Sequence, residues 1–146
     1  MKKLILAVAA LALAGSAAFA DPIADRQALM KANGKAVGSV MPIMKGEKPF
    51  DAALVLEALK TLNDDAQKID VAAMFPKGSE TGEKTTVSPK IWEDTAGFQA
   101  AVDKFKADTA AAVAAPPTDL DSFKATFGKV TSNCGTCHET FRIKKG

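Results

Sequence analysis

The chain has 146 residues and a formal net charge of +2, but its first 20 residues read as an export signal: a basic Met1-Lys2-Lys3 start, an unbroken apolar stretch from Leu4 to Ala14, and the small-x-small cleavage site Ala18-Phe19-Ala20. Removing them leaves 126 residues, one domain's worth of chain, and takes the 19 basic residues to 17 against 17 acidic ones. A chain without net charge gives no ground for nucleic acid as a partner, and no apolar stretch approaches the roughly 20 residues of a spanning helix, so no membrane insertion is expected.

Alanine is abundant, valine and isoleucine are scarce, and no internal repeat stands out. Strands are not indicated. The first helix is expected from about Pro22 to about Met44, with Asp21 as N-cap and Pro22 at the first helical position. Its one-face series is Ile23, Arg26, Met30, Gly34, Val37, Met41 and Met44, with Pro42 as a bend or stop. Lys45-Gly46-Glu47-Lys48-Pro49 forms the turn.

A second helix starts near Asp51, keeps helical period through Leu54, Val55, Ala58, Leu59, Leu62, Ala66 and Ile69, and ends near Phe75-Pro76. The stretch from Lys77 to Ser88, with Gly78 and Gly82, is the longest connection and the expected mobile one. Ser88-Pro89 opens a third helix carrying Ile91, Trp92, Phe98, Ala101, Val102 and Phe105, which Pro116-Pro117 stops. The fourth starts at Thr118 or Asp119, and Leu120, Phe123, Phe127, Val130, Cys134, Cys137 and Phe141 alternate spacings of three and four. Both cysteines therefore belong to its apolar stripe. Four such helices with mostly short loops predict an all-α, antiparallel four-helix bundle over residues 21–146, behind a signal peptide at 1–20.

The sole histidine and both cysteines fall together in Cys134-Gly135-Thr136-Cys137-His138. Cys-x-x-Cys-His is the attachment signature of c-type haem: two thiols three residues apart on a helix reach two vinyl groups of one porphyrin, and the adjacent imidazole approaches the iron. Cys134 and Cys137 are thus the expected thioether anchors of one covalent haem c, with His138 as axial ligand. Three plainer readings compete. A disulfide here would close a tiny loop and stabilise little. A thioredoxin-like pair belongs at a helix N-terminus in an α/β fold. Zinc wants four ligands where three Cys or His exist.

With no second histidine, a sixth protein ligand within one chain is methionine or lysine. The methionine candidates are Met30, Met41, Met44 and Met74, each by default a core filler. Met30 differs in its neighbours: Arg26 one turn before it could reach a haem propionate, and Gly34 one turn after leaves room for a flat macrocycle.

These residues resemble the class II cytochromes c, which include cytochrome c′ and its low-spin relatives of the cytochrome c-556 type. The resemblance spans the chain after residue 20 and rests on Arg26-Gln27, Lys45-Gly46-Glu47-Lys48-Pro49-Phe50-Asp51, Pro89-Lys90-Ile91-Trp92, and Cys134 to Arg142, a haem motif close to the C-terminus. It implies a four-helix bundle with haem between the helices. It also implies Arg26 near a propionate, Arg142 packed beside the proximal histidine, and Met30 where the low-spin branch carries a ligating methionine. The function expected is outer-sphere electron transfer in the periplasm, with redox proteins as partners, no enzymatic step, and a monomer or homodimer. The alternative is a five-coordinate cytochrome c′ binding NO or CO at an open distal site; a passive, structural haem subunit is a third reading.

Overall fold

A computed structural model describes residues 21–82 and 84–143. The expected signal segment, residues 1–20, lies outside them, as do Lys144 and Lys145. The elements follow in the order α1 (Pro22–Met44), α2 (Ala52–Gln67), α3 (Val71–Met74), α4 (Lys90–Glu93), α5 (Thr95–Ala114) and α6 (Leu120–Phe141). The four long helices make the bundle: α1 packs on α2, α2 on α5, α5 on α6, and α6 closes against α1. Short connections between α1 and α2 and between α5 and α6 make those neighbours antiparallel.

Local chemistry sets most helix ends. Asp21 accepts from the amides of Ile23 and Ala24, with Pro22 at the first helical position, as expected. Pro42 sits in the last turn of α1 without ending the helix. Its carbonyl accepts from Glu47 N–H at 2.8 Å while Gly46, at φ +74°, donates to Ile43 O at 3.0 Å. That paired pattern terminates the helix through a left-handed glycine. Asp119 and Ser122 form a reciprocal capping box at the start of α6.

Two boundaries differ from expectation. The second helix stops at Gln67, and Asp70 caps a separate single turn, α3, through Ala73 N–H; the expected end near Phe75-Pro76 is the end of that turn. The expected third helix is broken at Asp94, whose backbone leaves the helical region at ψ 62° and whose side chain caps α5 at Gly97 N–H. Any side chain at residue 97 would meet the Asp94 carboxylate, the nearest atom only 2.2 Å from the added Cβ. Glycine at 97 leaves the Asp94 carboxylate free to take the position it has here.

The face expected for α1 is also corrected by one position. Arg26, Leu29, Asn33, Ala36, Val40 and Ile43 are its buried residues, while Met30 is 42% exposed. On α6, Phe123, Phe127 and Val130 are fully buried as expected, each such side chain contributing roughly 1.5–3 kcal/mol of burial. Further along the same stripe, Cys134 and Cys137 are only half-buried. Aromatic contacts hold the two ends of the bundle. Phe50, Phe123 and Phe127 cluster at one end, while Phe75 meets Phe98 edge-on at 4.7 Å and Phe98 meets Phe141 at 5.0 Å at the other.

The Asp119 cap lies at the far end of α6 from Cys134. Asp119→Ala is expected to lower stability by about 1 kcal/mol, within the 0.5–2 kcal/mol range of lost N-caps. Chemical denaturation checks the loss, and an unchanged haem absorption spectrum checks that it stays local.

Candidate functional site

The partial exposure of the cysteines has a cause: α1, α5 and α6 do not close on one another near the C-terminal end of α6. A cavity of about 570 Å³ opens there. Cys134, Cys137 and His138 line it from α6, Met30 and Gly34 from α1, and Phe98, Val102 and Phe105 from α5. The volume lies within the roughly 300–1,000 Å³ range of cofactor pockets, and the lining is mostly apolar with a few polar groups. An added Cβ at Gly34 would meet nothing within 4 Å, so packing of the protein against itself does not require that glycine.

The protonation chemistry separates the readings of the Cys-x-x-Cys-His cluster. Burial pushes both thiols up, and for Cys137 the neighbouring Cys134 adds to the effect. Thiols held neutral do not suit a redox pair, which needs a thiolate. His138 moves the other way: desolvation first, and the positive charge of Arg142 second, disfavour the imidazolium. The neutral imidazole is the form that ligates a metal. Among the described residues, no group of three or more His, Cys, Asp or Glu side chains converges on a point where it could hold a metal ion. That counts against zinc. Two thiols, one imidazole, the thioethers of Met30 and Met74 and a largely apolar space are a donor set and lining that fit haem c.

Arg26 has a role that sequence spacing did not reveal. It is 6% exposed, and its guanidinium Nη1 donates to Met74 O at 2.6 Å and Ser79 Oγ at 2.9 Å. Nη2 donates to Ser79 O at 2.9 Å and Thr85 Oγ1 at 3.5 Å, and the group lies 5.0 Å from the Phe75 ring centroid. Desolvation lowers its pKa, partly offset by Asp21. The long connection between α3 and α4 is therefore clamped onto α1, and Gly82 lies so close that a Cβ there would be 2.6 Å from Ile23 Cδ1. The same connection pairs with the end of α6: Val87 bridges Arg142, Ser88 N–H donates to Phe141 O at 2.9 Å, and Ile143 N–H donates to Thr86 O at 2.8 Å. Arg142 Nε also donates to Thr86 Oγ1 at 3.1 Å. Arg26, Arg142 and residues 84–87 all border the cavity, so the connection forms part of its wall.

A bundle of this topology, with Cys-x-x-Cys-His on the wall of an apolar cavity, defines a c-type haem protein of the helical class. The family described as Cytochrome C′ matches residues 21–142. A cytochrome c′ from Rhodopseudomonas palustris is 43% identical over 150 residues, covering 99% of each chain. A cytochrome c-556 from Agrobacterium fabrum is 39% identical over 132 residues, covering 90% of this chain and 88% of that one. The solved structure of cytochrome c′ from Rhodopseudomonas palustris aligns with a TM-score of 0.79 at 41% identity, over 86% of this chain and 98% of the other. The chain belongs to the cytochrome c′ family, which binds a covalent haem c.

The Arg26 clamp generates a test. Arg26→Met removes the donors and strands buried acceptors at Met74 and Ser79, a loss of about 1–3 kcal/mol. Hydrogen exchange is expected to quicken at Ser79 and Thr85 while the amides of α6 from Phe123 to Val130 stay protected.

Proposed function

We propose that the chain is a periplasmic electron carrier, formed by residues 21–146 after export and removal of residues 1–20, with haem c held by Cys134 and Cys137 and ligated by His138 and Met30. The observation that carries the reading is the placement of Met30. Packing should bury a methionine, yet this one is left 42% exposed on the wall of the cavity that also holds the cysteines and histidine. Met74 also lines the cavity, but its side chain is partly buried against the core. Met41 and Met44 pack against the core and do not line the cavity.

When bound, the haem supplies a one-electron couple, and a permanent His/Met pair raises its potential and keeps reorganisation small. The protein's own residues supply the rest. Partial desolvation at the cavity wall, and after it the charge of Arg142, favour the neutral, ligating form of His138. Phe98, Val102 and Phe105 keep the cavity apolar. All four terminal N–H positions of Arg26 are directed at the 74–85 segment, so toward a propionate it acts chiefly through its charge rather than as a bidentate fork. Arg142 contributes a second positive charge at the rim. With the only histidine committed to the iron, no acid–base pair is left for substrate chemistry, which supports a carrier rather than an enzyme. Its partners are redox proteins, and the sequence pattern fits a monomer or a homodimer.

The test is the visible spectrum of the reduced holoprotein, compared between wild type and Met30→Ala. A sharp low-spin α-band in the wild type, lost in the variant together with a gain in CO binding, is the expected result. A high-spin wild type that already binds CO would overturn Met30 ligation and favour an open distal site for NO or CO.

A further inference from the structure

The seam between α5 and α6 holds a buried charge that neither the bundle packing nor the ligand set requires. Asp108 on α5 is 9% exposed and accepts donors from both helices: Lys104 one turn earlier, Lys129 Nζ at 3.1 Å, and Asn133 Nδ2 at 2.9 Å. The two lysine side chains are largely exposed. Of the three charges, only the anion is shielded from water, and it is therefore the least screened.

Asn133 is itself buried, borders the cavity, and immediately precedes Cys134. A carboxylate only accepts, so Asp108 decides which end of the Asn133 amide faces the seam. The Nδ2 end does, donating also to Lys129 O and Val130 O, each at 3.2 Å. Asp108 thus stands one side chain behind the cavity wall, at the turn that carries the first thioether cysteine.

We propose that Asp108 is a positioning residue that acts on the haem through Asn133: it fixes the α6 backbone turn before Cys134 and, as a buried anion, lowers the reduction potential. Reduction adds an electron to the site, and a nearby negative charge in a poorly screened setting makes that addition less favourable. The three donors hold the Asp108 carboxyl well below the usual carboxylate range, so the charge is present at neutral pH. The inference rests on haem attachment at Cys134 and Cys137 but not on which residue fills the distal position.

Redox titration of the purified holoprotein, followed optically, tests it with wild type, Asp108→Asn and Asp108→Glu. Asp108→Asn is expected to raise the midpoint potential without changing the α-band. Asp108→Glu keeps the charge and is expected to stay nearer wild type, even if its thermal stability falls. Equal potentials in wild type and Asp108→Asn, or equal shifts in both variants, would overturn the proposal. If Asp108→Asn does not accumulate as holoprotein, Asp108→Asn/Lys104→Gln preserves the net charge of the cluster. The same rise is expected there, and a wild-type potential would overturn the proposal. The wild-type α-band reports Met30 ligation separately, so failure of that reading is distinguishable from failure of this one.

Discussion

One helix face has to serve two purposes. The stripe of α6 that buries Phe123, Phe127 and Val130 in the core continues one turn further as Cys134 and Cys137, which border open space. A helix cannot turn its stripe, so the neighbouring helices must stand back from its C-terminal part. The cavity is the consequence, and an apolar cavity of that size is costly unless something fills it. Covalent attachment at the two cysteines answers both needs: it seats an apolar macrocycle in the gap and holds it to the element whose packing opened the gap.

The rest of the molecule is organised around that gap. The mutually contacting rings of Phe75, Phe98 and Phe141 line it, and the connection from α3 to α4 forms part of its wall. A chain segment with three left-handed or otherwise positive-φ positions, Gly78, Gly82 and Lys84, is not held by secondary structure. It is held instead by the buried guanidinium of Arg26 and by the short pairing with the end of α6. Burying an arginine among neutral acceptors costs desolvation, and the hydrogen bonds to Met74, Ser79 and Thr85 offset it.

Much of this was legible in local chemistry. The starts of α1, α2 and α6 follow from Asp21-Pro22, Asp51 and Asp119, because a cap needs only residues within a turn of itself. The Cys134–His138 cluster carried its cofactor in its spacing, and Met30 did reach the cavity. What was not legible depends on distance or on steric detail. The break at Asp94 turns on a side-chain cap at Gly97 N–H in the middle of a periodic run, and the end of α2 turns on a new cap at Asp70, where periodicity alone continues. The clamp made by Arg26 joins residues 53 positions apart, and the Asp108–Asn133 link joins residues 25 positions apart. Side-chain pairing across a bundle leaves no trace in the period of either helix.

Two groups of charges therefore bear on one apolar site: Arg26 and Arg142 at its rim, and Asp108 behind its wall. The ligand set decides which chemistry they modulate, and X-ray absorption at the iron edge of the purified holoprotein reads that set most directly. The account predicts one sulfur donor to iron, from Met30, alongside nitrogen donors, in both the oxidised and the reduced protein. A first shell of nitrogen alone in either state would contradict it.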